Sequence, residues 1–213
     1  MSSTSSNKPP TVLGRLRTSR RVRDLLSTVA FVLAALVARS SLADHYVVPS
    51  GSMLPTVQEG DHIAVDKLAF GLRVPFSHLY LSGTGPSRFD VVVLESPEDG
   101  STILLKRVVA LPGDRVAVKG GRIVVQGVPA DLQVDAGAVR EAFEGRSHPL
   151  GLSYGGGPDL PETTVPAGSY LVLGDNRGNS HDGRSFGLVP RAAILGRAAG
   201  VFWRGGSPIW QGL

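Results

Sequence analysis

From Leu25 to Ala38 the chain runs fourteen residues without a charge, Leu-Leu-Ser-Thr-Val-Ala-Phe-Val-Leu-Ala-Ala-Leu-Val-Ala, apolar nearly all round and not along one stripe. After Asp44 the texture changes to short Val- and Ile-rich stretches separated by Gly, Pro and Asp, which predicts a mostly β domain. The pattern places strands at Asp61 to Leu68, Phe89 to Leu94, Thr102 to Ala110, Arg115 to Lys119, Arg122 to Gln126, Tyr170 to Leu173 and Ala193 to Phe202. Lys119-Gly120-Gly121 should turn the fourth into the fifth, since glycines accept the positive φ of a tight hairpin. Residues 127–165 read differently. They hold Pro129, Pro149, Gly155-Gly156-Gly157, Pro158, Asp159 and Pro161, and are expected to form a long excursion with one short helix near Ala136 to Phe143. No internal repeat or coiled-coil heptad is present.

The apolar run is short for a membrane span, which needs about 20 residues with roughly 17 as the lower bound. Leu25 to Ala43 can serve only if Arg39 snorkels to a headgroup. A cleaved signal peptide is the alternative, with a basic start, an apolar middle and a small-x-small end at Ser41-Leu42-Ala43. The sequence leaves anchor and cleaved peptide open. Either reading sends the chain after Asp44 across the membrane, because Arg15, Arg17, Arg20, Arg21 and Arg23 precede the run and only Arg39 follows its uncharged core.

Composition bounds the rest. A chain of 213 residues with 42% hydrophobic and 19% charged residues fits one sizeable domain with appendages, and excludes disorder throughout, collagen and a disulfide scaffold. Residues 1–14, rich in Ser and Pro, read as a disordered tail. The formal charge of +4 is misleading: residues 1–23 carry Lys8, Arg15, Arg17, Arg20, Arg21 and Arg23 with no acid, so the remainder, with 16 basic and 18 acidic residues, is net −2. A short basic head argues poorly for nucleic-acid binding. The absence of cysteine excludes thiol catalysis and thiolate metal sites.

Three stretches carry candidate chemistry. In Pro49-Ser50-Gly51-Ser52-Met53-Leu54-Pro55-Thr56 two hydroxyl residues flank a glycine, so the backbone can bend and present Ser52 with its amide toward a developing oxyanion. Taken alone, such an octapeptide is more often a simple turn. A serine nucleophile needs a base, and His45, His62, His78, His148 and His181 sit in no triad motif. Lys106 is the alternative, inside the apolar run Thr102 to Ala110, where burial would lower its pKa from about 10.4 toward roughly 8 and free the amine to take a proton. The plain reading is an edge-strand lysine with its head in solvent, and Arg107, next to it, reads as a residue of that kind. The third stretch, Gly174-Asp175-Asn176-Arg177-Gly178-Asn179-Ser180-His181-Asp182-Gly183-Arg184, reads as a solvated turn or a loop of catalytic donors; its oxygens lack the alternate spacing and closing Glu of a calcium loop.

Together, Pro49 to Thr56, Gly60-Asp61, Lys106-Arg107-Val108-Val109-Ala110-Leu111-Pro112-Gly113-Asp114 and Gly174 to Arg184 closely resemble the boxes of the bacterial type I signal (leader) peptidases, in the same order. The resemblance runs from about Tyr46 to Trp203 and includes Gly187-Leu188-Val189-Pro190 and Ile194-Leu195-Gly196-Arg197. It implies a Ser/Lys endopeptidase that removes signal peptides from exported preproteins, on a β domain of coiled antiparallel sheets with an inserted variable region and a preceding apolar helix. It divides the chain into a basic cytoplasmic head (1–23), a membrane anchor or uncleaved signal-like helix (24–43), a catalytic β domain (44–126 and 166–213) and the inserted region (127–165). It makes Ser52 the nucleophile and Lys106 the general base. Ser50 helps form the oxyanion hole beside the Ser52 amide, and Ser180 orients the lysine amine. Asp182 pairs with Arg184 to brace the loop, Asp175 supports it, and Met53, Leu54 and Pro55 position the turn and line an apolar substrate cleft. Gly178 and Gly183 stand where many relatives have Asp and Ser, which predicts a looser loop.

The implied substrate is an extended peptide added along a strand edge, with small side chains at the first and third residues before the cut. No metal or organic cofactor is required. The expected partners are signal-peptide-bearing preproteins, the bilayer surface and the nearby export machinery, with a monomeric enzyme in the plasma membrane, its N-terminus cytoplasmic and its β domain outside. Nine Cα steps separate Ala43 from Ser52, roughly 30 Å at full extension, so an anchored enzyme works close to the headgroups. The self-cleaving repressor peptidases, which also use Ser and Lys, are a rival reading, but they normally carry a DNA-binding domain for which the head is too short. A catalytically silent membrane-anchored binding module is the non-enzymatic alternative.

Overall fold

The computed structural model describes residues 22–32, 43–71, 80 and 83–213. The chain divides into two units, Met1–Val37 and Ala38–Leu213. In the first, residues 22–32 form a helix, α1, with Leu25, Leu26, Val29, Phe31 and Val32 exposed. The expectations for residues 1–21 and for 33–42, the second half of the apolar run, fall outside the described residues. Among those described, no helix is long and apolar enough to cross a membrane.

The second unit is mostly β. Its largest sheet comprises β1 (Ala43–Val47), β2 (His62–Asp66), β14 (Ile194–Arg204), β3 (Val91–Glu95), β4 (Ile103–Ala110), β12 (Ser169–Leu173) and β13 (Val189–Pro190) in that spatial order, with β15 (Ser207–Gly212) pairing β14. A second sheet orders β11 (Leu160–Thr164), β5 (Arg115–Lys119), β6 (Arg122–Val125) and β7 (Val128–Pro129), and a third orders β10 (Arg146–Leu150), β9 (Ala138–Phe143) and β8 (Asp131–Asp135). The pairings of these strands are antiparallel. A short helix, α2 (Gly183–Phe186), starts on Asp182, whose carboxylate accepts the Arg184 amide as an N-cap.

Hydrophobic alternation explains the main sheet. In β3, Val91 and Val93 join one apolar cluster with Met53, Val57 and Ile63, while Val92 and Leu94 join another with Val108, Val172 and Ile194. A strand covered on both faces must be apolar at every position, and Val91-Val92-Val93-Leu94 is. In β2 only Ile63 and Val65 are buried, matching a strand covered on one face. The seven strands placed from the sequence all form, with ends shifted by a few residues.

The region 127–165 departs from expectation. Ala138 to Phe143 is the strand β9 and not a helix. Two-residue turns at Ala136-Gly137 (φ 45° and 84°) and Glu144-Gly145 (φ 52° and 75°) reverse the chain at both its ends, and this overrides the helix preference of its Ala, Arg and Glu. Beyond β10, β11 returns to pair with β5, so the excursion is built of hairpins stitched to the body.

Candidate active site

Ser52 lies in a single 3₁₀ turn, Gly51–Met53, between the end of β1 and β2. Met53 anchors that turn from beneath, its side chain fully buried in the cluster of Val48, Val57 and Ile63. This corrects part of the expected cleft: Met53 faces the core, and of the three proposed lining residues only Leu54 and Pro55 border a groove. Asp61 fixes the far side of the loop by accepting the Gln58 amide and a two-pronged bond from Arg204 (2.7 and 2.6 Å).

β4 delivers Lys106, which pairs with Val92 of β3 in register and is only 4% exposed. Its Nζ lies 2.9 Å from Ser52 Oγ, although 54 residues separate them in the chain. Burial pulls the Lys106 ammonium down to about 8, and the negative charges of Asp182 and Asp175 oppose the fall without reversing it. Ser50 Oγ donates to Ser52 Oγ at 3.3 Å. One hydroxyl is therefore reached by an amine that is partly neutral near pH 8 and by a second hydroxyl, and an amine so placed is able to take a serine proton.

The third stretch wraps the other side of the turn. Asn176 donates its backbone amide to Ser52 O (3.0 Å) and its side-chain amide to Gly51 O (3.0 Å), gripping the turn by two carbonyls. Gly174 leaves no room for a side chain, as a Cβ there would strike Ser180 and Ser52 O. Ser180 Oγ is buried beside Gly174 and forms no bond to the lysine amine, contrary to expectation; its hydroxyl instead lies near enough to Asp182 to help lower that carboxyl. Asp182 accepts from Arg184 Nε and Nη2 (both 2.8 Å) and from the Gly174 amide (3.0 Å). Burial alone would raise its carboxyl; these donors outweigh it and hold the group below the ordinary carboxylate range.

Two expectations need correction here. Arg107 is not a solvent-facing edge residue: it is 4% exposed and forks onto Asp175 with two bonds of 2.7 Å, its remaining arm on Phe89 O. Adjacent strand residues point in opposite directions, and both directions at this point of β4 are buried. The loop is also not loose. Side chains at Gly178 and Gly183 would collide with Tyr154 O and with Leu171 and Val172 O, so close backbone packing replaces the missing side-chain ties.

Sequence reasoning missed a buried charge chain behind the site. Arg177, fully buried, donates to Glu141 of β9 (2.6 and 3.2 Å) and to Gly174 O. Glu141 also accepts the Ile123 amide and lies 3.2 Å from His148 Nε2 of β10, while His148 Nδ1 lies 3.4 Å from Asp175. Burial would raise Glu141, but Arg177 and His148 hold it down at about 2. Asp175, which also accepts from Thr56, is likewise held below its ordinary value against its burial, chiefly by Arg107. An Arg in the third motif asked for a carboxylate, but nothing in the chain order named Glu141 as the partner.

Two grooves flank the turn. One of about 230 Å³ is lined by Tyr46 to Pro49, Ile63, Val93 and Ile103 to Leu105. The other, about 580 Å³, is bordered by Leu54, Pro55 and Asn176 on one side and by residues 137–140 and 149–154 on the other. Among the described residues no group of His, Cys, Asp and Glu is placed to hold a metal ion.

The family model for signal peptidase, peptidase S26, matches residues 21–203. Signal peptidase I of Leptolyngbya laminosa is 35% identical over 179 residues, covering 81% of this chain and 74% of that protein. Signal peptidase I of Pseudomonas aeruginosa is 35% identical over 191 residues (78% and 67%), and that of Bacillus caldolyticus 33% over 176 residues (81% and 87%). The chain belongs to the S26 signal peptidase family, whose members are serine endopeptidases.

Proposed function

We propose that this protein removes signal peptides from exported preproteins by acyl transfer, with Ser52 as nucleophile and Lys106 as general base. The observation that carries the reading is the 2.9 Å approach of a buried lysine amine, its pKa brought down to about 8, to the hydroxyl of a serine on a tight turn. Neutral Lys106 takes the Ser52 proton as Oγ attacks the scissile carbonyl; the resulting ammonium returns a proton to the leaving amine as the C–N bond breaks. Water then attacks the ester, giving its proton to Lys106, and Ser52 leaves as the free hydroxyl. The Ser52 amide and the Ser50 hydroxyl stabilise the oxyanion. Asp182 with Arg184, and Asp175 with Arg107, keep the loop in place.

The residues before the cut add as an extended strand beside the N-terminal half of β4. Among the described residues β12 pairs with β4 only at Arg107, Val108 and Ala110, which leaves Ile103 to Lys106 without a strand partner on that edge. The small groove beside this edge suits small side chains at the first and third positions before the cut. The five arginines before the apolar run against the single Arg39 after its uncharged core favour a cytoplasmic N-terminus with the β unit outside; with residues 24–43 retained as an anchor, cleavage takes place near the bilayer surface and the export machinery.

Processing of a signal-bearing precursor in detergent tests this. Ser52→Ala and Lys106→Ala should each abolish cleavage while circular dichroism stays that of the wild type. Near-wild-type turnover by either variant would refute the assignment.

A further inference from the structure

We infer that the larger groove, between the nucleophile turn and the β9–β10 hairpin, binds the polypeptide segment that follows the cleaved bond. The inference rests on the peptidase reading above and assigns the half of the substrate which that reading leaves unplaced.

The two grooves lie on either side of one short stretch of chain. Pro49 borders the smaller and Leu54 the larger, with Ser52 between them. Leu105 borders the smaller, one residue before Lys106, while Asn176, bonded to Gly51 O and Ser52 O, borders the larger. A peptide lying across Ser52 Oγ therefore has a groove at each end. Acyl transfer divides it there: the part before the cut stays esterified to Ser52, and the part after it departs as an amine. With the former along the Ile103 to Lys106 edge, the latter lies against Leu54 and Pro55.

The groove has the make-up of a site for an unfolded segment of varied sequence. Its about 580 Å³ falls within the range of pockets that enclose ligands. Val139, Leu152 and the 70% exposed Tyr154 offer apolar surface, with Arg140 the one charged side chain bordering it among the described residues. The outer wall is also held rigidly. Gly151 donates to Asp175 O and accepts from the Arg177 amide, and Glu141 and His148 of the hairpin are locked to Arg177 and Asp175. A wall fixed before binding loses little freedom when the segment docks, so contact there converts efficiently into affinity.

The test uses two peptides with one signal sequence, the first continuing about ten residues beyond the cut and the second ending one residue beyond it, on the full chain in detergent. The long peptide should be cleaved with kcat/KM about tenfold higher. Leu152→Ser combined with Tyr154→Ala should remove that advantage and leave the short peptide unaffected. Tyr154 is largely exposed, so its replacement alone, which perturbs no packed core, should give a smaller loss confined to the long peptide. A photoreactive residue three positions after the cut, in a complex with Ser52→Ala, should crosslink to residues 137–140 or 149–154. Equal kcat/KM for both peptides in the wild type, equal losses on both in the variants, or crosslinks elsewhere would overturn the groove assignment while cleavage of the short peptide upholds the peptidase. Failure of the wild type to cleave either peptide would remove both.

Discussion

Replacing Lys106 with methionine should abolish cleavage and at the same time stabilise the protein. Burial lowers the Lys106 ammonium from its ordinary 10.5 to about 8, a gap that corresponds to about 3 kcal/mol at roughly 1.4 kcal/mol per pKa unit. The sign follows from proton counting. Between pH 8 and 10.5 the unfolded chain holds a proton on Lys106 that the folded chain has lost, so stability rises with pH through that window. Below pH 8 both states are protonated and the folded state carries the whole cost of a buried cation. Methionine has a similar length and no charge, so it removes that cost; the lost hydrogen bond to Ser52 gives back about 1 kcal/mol. The net expectation is a gain of about 2 kcal/mol at pH 6.5 that disappears by pH 9.5, measured by urea unfolding of both proteins at the two pH values. A variant less stable than wild type at pH 6.5, or a gain of equal size at both pH values, would refute the claim that this amine is held out of water for the sake of its basicity.

The same pKa predicts the activity profile: with chemistry rate-limiting, kcat/KM should fall about fiftyfold from pH 8 to pH 6, as the neutral fraction drops from about half to about one in a hundred. A rate flat down to pH ~5 counts against lysine as base. Arg107→Met takes the guanidinium away from buried Asp175, leaving its carboxylate with Thr56 and His148 as neighbours, and should cost about 3 kcal/mol in chemical unfolding; a loss under ~1 kcal/mol would show the pair to be dispensable. Ala136→Asn, at a turn position with φ 45°, should stabilise by about 0.5–1 kcal/mol because asparagine tolerates the left-handed region better than alanine. A melting temperature unchanged or lowered would argue that this turn adopts another form.

How far the chain order reveals the molecule depends on what kind of contact is involved. β2 and β3 were readable because burial on one or both faces writes itself into alternation or an unbroken apolar run. Ser52 and Lys106 were readable only as a pair of motifs, since each alone fits a turn or an edge strand. The strand β9 was hidden because its residues favour helix, and its flanking turns open with Ala136 and Glu144 where Asn or Asp would have advertised a hairpin. The spacing of Gly127, Gly137 and Gly145, each ending a two-residue turn, was the signal available. Arg107 and Glu141 were misread or missed for another reason: a charged side chain is placed inside by a counterpart 68 or 36 residues away, and local composition does not encode that distance.

The coupling of Glu141 and His148 to Arg177 and Asp175 has a consequence for inheritance. A hairpin transplanted here from a homologue that lacks those two side chains would leave the Arg177 guanidinium buried without its carboxylate, one residue from the Asn176 that grips the Ser52 turn. Chimaeras in this family should therefore tolerate exchange of the outer turns freely and of the whole hairpin only when both halves of the lock travel together. The segment that looks most like an ornament is, at two of its positions, tied to the lineage of the engine it leans on.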